Sequence, residues 1–141
     1  MFSKSNLVST AVCAIWAFFG GYLLWPVLGE AFLMDHLGSA TGVGREVPDF
    51  MFLTVGCVIM AFAISTIYEK YGKGNYSAGD GAQLGLWIGI LTGFGDGVVN
   101  YSTSNILDFT GTIANGVLYV VFFVVMGALA GIVYNKTTSA A

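Results

Sequence analysis

Two polar stripes run through otherwise apolar sequence. Thr92, Asp96 and Asn100 are spaced i, i+4, i+8, which places them on one face of a helix. Asp108, Thr112 and Asn115 follow at i, i+4, i+7 on the next one. A carboxylate inside a membrane is costly and marks a functional site by default. A face of hydroxyls and amides around it suits the binding of a cation. The spacing therefore predicts a shared outward-facing polar pocket, with Arg45, the only base expected on that side, as a partner for Asp96 or Asp108. The structural alternative is that Asp96 lies at the membrane boundary, faces water and bonds locally. Arg45 also has its neighbour Glu46 as the nearer partner. His36 stands alone in the sequence and reads as an inert surface histidine. No nucleophile is spaced with a base, no strand precedes GDGAQLG to make it a dinucleotide fingerprint, and no Cys/His grouping suggests a metal or redox site. The reading assigns no catalytic residue, no metal and no cofactor.

The elements that must position these residues are membrane helices. Of 141 residues, 56% are hydrophobic and 9% charged, against about 25% charged in a globular domain. Four stretches reach the roughly 20 residues a bilayer requires: about 5–29, 50–68, 81–101 and 109–134. Backbone in lipid must satisfy its own hydrogen bonds, so these are expected to be helices. Short second and third loops make neighbours antiparallel, which predicts an all-α, four-helix up-down bundle in a single domain, 1–141. Trp25-Pro26 is expected to close the first span. The following EAFLMDHLG has helical amphipathic spacing and is expected on the membrane surface. Asp80 is expected to cap the third helix.

Lys4, Lys70, Lys73 and Lys136 fall on one side of such a bundle and Arg45 alone on the other, so both termini are expected in the cytoplasm. The outer side then holds six of the eight acids. Tyr68, Tyr71, Tyr76 and Tyr134 are expected as an inner aromatic belt, and Tyr22, Trp25, Phe50 and Tyr101 as an outer one. A pI near 4.7 argues against nucleic acid as a partner. Cys13 and Cys57 are expected as free thiols in packing contacts.

Gly81, Gly85, Gly89, Gly93 and Gly97 recur every four residues in the third span. Each glycine costs a water-soluble helix about 1 kcal/mol relative to alanine. In lipid, small residues let backbones meet, and that contact is what holds helices together. Gly127 and Gly131 form a second patch of the same kind on the fourth span. The stripe serves a contact within one chain or between subunits, and sequence leaves both open.

The order Trp25-Pro26-Val27-Leu28-Gly29 resembles a W-x-P-L-F-G pattern, and Gly79-Asp80-Gly81 with Leu84-Gly85-Leu86 resembles a GDG-x-x-LG-L stretch. Both occur in a family of small bacterial four-helix membrane proteins of unknown function. Asn100-Tyr101 and the Met126–Gly131 segment are similar too; the pattern's Phe is Leu28 here and its second Trp is missing. The resemblance implies a bundle in a bacterial inner membrane and transfers no activity. Three functions remain open. The first is a non-catalytic subunit, packing through a glycine zipper into a homo-oligomer or a larger membrane complex. The second is a small cation transporter or channel using the acidic polar pocket. The third is an enzyme acting on lipid or quinone through Asp96 or Asp108.

Overall fold

A computed structural model describes residues 3–139. It is built from four helices: α1 (Lys4–Asp35), α2 (Phe50–Gly72), α3 (Ala78–Thr103) and α4 (Phe109–Ser139). All four are long and apolar enough to cross a membrane. Among the described residues there is no strand, only an isolated antiparallel bridge between Leu37 and Leu107.

Helix α1 does not stop at Pro26. It widens into a π-helical turn over Leu23–Gly29 and continues through Glu30–Asp35. The stretch expected as a separate surface helix, 30–38, is instead the last part of α1 as far as Asp35 and loop beyond it. Proline removes one backbone donor and crowds the preceding turn, and a wide turn absorbs both effects without ending the helix. A second wide turn, Ile90–Asp96, interrupts α3. The N-cap of α3 is Ser77, not Asp80. The Ser77 hydroxyl accepts the Asp80 backbone N–H at 3.0 Å, and the Asp80 carboxylate accepts the Ser77 hydroxyl at 2.6 Å. The two bonds tie Asp80, three residues in, to the Ser77 hydroxyl, while the Ser77 backbone N–H donates to the Tyr68 hydroxyl.

Helix α4 is the centre of the assembly, meeting α1, α2 and α3. Pairs of touching residues show that it runs against both α1 and α3. Asn6 meets Tyr134 and Trp25 meets Asn115, while Gly81 meets Gly127 and Gly93 meets Gly116. Cys13, Ala17 and Leu24 of α1, Ala61 and Ile64 of α2, and Phe122, Met126 and Ala130 of α4 form the apolar core.

Helix α3 meets α4 backbone to backbone along its glycines, with the Phe94 ring also set against Gly116. A methyl group at Gly81 would overlap the Gly127 carbonyl, and one at Gly85 the Phe123 carbonyl. One at Gly89 would lie 2.6 Å from the Val120 Cα, and one at Gly93 2.6 Å from the Gly116 carbonyl oxygen. The facing Gly127 and Gly131 are crowded in turn by the carbonyls of Gly81 and Ser77. At Gly97 the helices part, and its nearest neighbour would be the Thr112 methyl at 3.7 Å.

Near the chain termini the helices are joined by polar groups. Asn6, Ser9 and Ser65 are fully buried. The Asn6 amide donates to Thr66 and to the Tyr134 hydroxyl, Tyr134 donates to the Ser65 carbonyl at 2.9 Å, and Ser9 bonds Ser65 at 2.8 Å. The Tyr68, Tyr76 and Tyr134 rings pack on one another, and the Tyr68 hydroxyl binds the Ser77 backbone. Three members of the expected inner aromatic belt thus turn toward the protein interior. Trp25, expected at the outer boundary, also turns inward. Cys13 and Cys57 are free and buried.

Candidate functional site

Where α3 and α4 part beyond Gly93, a cavity of about 250 Å³ opens between them. The wide turn and the helix beyond it bring Thr92, Asp96 and Asn100 to its wall. The first turns of α4 bring Thr112, Asn115 and Tyr119, and the connecting Ser104, Ile106 and Leu107 close the end. Five of the seven residues expected to line a pocket lie here together.

Each polar group has a defined role. The Asn100 amide donates 2.9 Å to the Asp96 carboxylate and 3.1 Å to its carbonyl. Thr92 and Thr112 donate their hydroxyl protons to the carbonyls one turn back, Ile88 and Asp108. Their oxygen lone pairs remain as acceptors. The Trp25 indole N–H donates to Asn115 Oδ1 at 2.7 Å, and its ring packs edge-on against Tyr119 and Phe122. Among the described residues no basic side chain lines the cavity. A carboxylate among hydroxyl and amide oxygens, with no fixed base, is suited to a cation or a hydrogen-bond donor.

Three expectations are corrected. Asp96 is exposed and takes its side-chain partner from its own helix, Asn100, rather than from α4 or Arg45; this local bonding is the alternative stated above. Arg45 is not part of this site. It pairs at 3.8 Å with Asp49, rather than with Glu46, Asp96 or Asp108. It lines a separate, open surface depression with Pro48, Phe52 and Leu53. Both side chains are well exposed, so the ion pair contributes little. Asp108 faces away from the cavity. Its Oδ1 accepts the Gly111 N–H at 2.7 Å, capping α4, and its Oδ2 meets His36 Nδ1 at 2.8 Å.

His36 is therefore paired, and the pairing is reinforced by backbone. Asp108 N–H donates to the His36 carbonyl, Gly38 N–H to the Ile106 carbonyl and Ala40 N–H to the Asn105 carbonyl, each at 2.9 Å. The Asp108 carboxyl is held below its ordinary value, chiefly by the Gly111 N–H and then by His36. Among the described residues no hydroxyl or thiol bonds to His36, and no group of three or more His, Cys, Asp or Glu gathers as a metal site would require.

Sequence reasoning missed three relationships: the Trp25–Asn115 bond, the buried Asn6–Ser9–Ser65–Tyr134 network and the His36–Asp108 pair. The spacing of Asn6, Ser9 and Cys13 at i, i+3, i+7 was the available signal for the second. No family model, curated protein or solved structure matches this chain.

Proposed function

We propose that the chain is a non-catalytic, four-span protein of a bacterial inner membrane whose α3–α4 cavity binds a small cation, as part of a transporter or channel. It folds up and down with both termini in the cytoplasm, so the cavity opens outward. The observation that carries the reading is Asp96, a carboxylate grouped with Thr92, Asn100, Thr112 and Asn115 in a cavity lined by no base among the described residues. Asp96 and Asn100 are both exposed, so the carboxylate is open to an arriving cation, which its charge attracts. The sequence resemblance and the lysine asymmetry support the membrane and orientation assigned.

The test is uptake of potassium or sodium into vesicles holding the purified chain. Asp96→Asn keeps the side-chain shape and removes the charge, so it should abolish binding or flux while leaving the protein folded. Equal uptake by that variant would reject the site. For orientation, an impermeant thiol reagent should reach Ser39→Cys from outside and miss Asn75→Cys; labelling at Asn75→Cys in intact cells would reverse the topology.

A second reading is an accessory subunit or homo-oligomer. It is favoured by the apolar surface of α2, where Phe50, Met51, Phe52 and Ile59 all lie uncovered. In this chain the small-residue stripe of α3 meets α4 of the same chain, so a partner would use the α2 face instead of the glycines. Extraction in mild detergent decides it. A lone monomer of 14.9 kDa contradicts the subunit reading, and a stable complex supports it.

A further inference from the structure

The cavity's end wall and the first loop share one piece of backbone. Ser104, Ile106 and Leu107 line the cavity. The opposite edge of the same segment is bridged to residues 36–40 by three backbone hydrogen bonds and by the His36–Asp108 pair. Gly38 is pressed against Asn105 so closely that a methyl group there would overlap the Asn105 carbonyl. Asp108 is also held by the first turn of α4, through Gly111 and Thr112, but Asn105 and Ile106 are exposed and lie in neither helix nor sheet.

We propose that residues 36–40 are a strap governing access to the cavity. With the strap in place the 104–107 wall is held over the space beside Thr112 and Asn115. When it is released, the wall moves out and solute enters. The inference rests on this cavity being a ligand site, while the identity of the ligand is tested apart. The strap crosses from α1 to α4, so access to the cavity is coupled to the loop that follows the first span. Such short contacts open far more readily than the helices unfold, which suits a part that must move.

The test is the labelling rate of a thiol inside the cavity. Thr112 is 5% exposed. Thr112→Cys, in a chain whose Cys13 and Cys57 are replaced by alanine, is treated with an impermeant maleimide. Gly38→Val forces the strap off Asn105, and His36→Ala removes the side-chain pair and the ring contact with Phe32 while keeping the strap backbone. Loss of even one or two of these bonds should raise the open population, and so the labelling rate, by about tenfold. Helical content should be unchanged. Acceleration in His36→Ala alone is sufficient support should Gly38→Val fail to fold. An unchanged rate in His36→Ala, together with an unchanged rate in any folded Gly38→Val protein, overturns the strap. Potassium and sodium uptake is measured on the unaltered chain and on His36→Ala and Gly38→Val proteins that keep Thr112, Cys13 and Cys57. Faster labelling with no uptake by any of these keeps the strap and rejects the cation.

Discussion

Trp25 and Asn115 lie 90 residues apart in sequence and are joined by a 2.7 Å hydrogen bond from indole to amide oxygen. The bond fixes the amide of a cavity residue, because an Asn whose oxygen is occupied must present its NH₂ elsewhere. It also ties the wide turn of α1 to α4. Trp25→Phe keeps the ring contacts with Tyr119 and Phe122 and removes only the donor. The expected loss is about 1 kcal/mol in detergent unfolding. A double-mutant cycle with Asn115→Leu should then show coupling of roughly 0.6 kcal/mol, typical of bonds between membrane helices. Additive effects would mean that the bond is not made in the membrane.

The glycine stripe predicts a graded series. Gly81→Ala and Gly85→Ala place a methyl group on a facing carbonyl and should each cost about 1–3 kcal/mol, as overpacking does. Gly89→Leu should be worse. Gly97→Ala meets only the Thr112 methyl and should be neutral or stabilising by up to about 1 kcal/mol, since alanine is the better helix former. Equal tolerance at all four sites would show that α3 and α4 do not meet as described.

Asp108 predicts a pH response with a definite sign. Its folded-state carboxyl is lowered from the ordinary 3.8. The charged form therefore stabilises the cap and the His36 pair above that value, and the contribution is lost as pH falls through the folded value. The Gly111 amide resonance should shift on acidification with a midpoint below 3.8, and Asp108→Asn should abolish that shift. A midpoint at or above the ordinary value contradicts the cap.

The pairing of residues 36–38 with 106–108 makes Leu37 and Leu107 a directly opposed pair without mutual hydrogen bonds. In this arrangement the Cα atoms stand about 4.5 Å apart, within the range a disulfide accepts. Leu37→Cys with Leu107→Cys should oxidise spontaneously, losing both free thiols without loss of helix. Persistence of both thiols under oxidant would contradict the bridge.

The four helices were legible because length and the absence of charge decide what can span a bilayer. The existence of the α3 and α4 polar faces was legible because they are local, at spacings one helix sets by itself. What sequence could not supply was anything spanning two elements. Pro26 reads as a terminator because its effect is local, yet packing of Leu24, Trp25 and Gly29 on neighbouring side chains carries the helix past it. Tyr68, Tyr134 and Trp25 read as boundary aromatics because each has one polar atom. Their partners lie on other helices, at Ser77, Ser65 and Asn115. His36 looked solitary because Asp108 is 72 residues away, and Arg45 was assigned to the cavity by side of the membrane rather than by reach.

The two wide turns have a consequence in the genetics of the chain. A π-helical turn holds about one residue more than the α-helix it replaces. Removing a single residue from Ile90–Asp96 would let α3 close into regular helix, and the residues beyond it would keep the places they hold now. Asn100 and Tyr101 would stay on the cavity wall while Gly81, Gly85 and Gly89 kept their seats on α4. The same deletion within Ala78–Gly89, which is regular helix, would turn one side of the helix against the other by about 100° and break the glycine contact. Ile90–Asp96 is thus the stretch of α3 that should survive the loss of a codon.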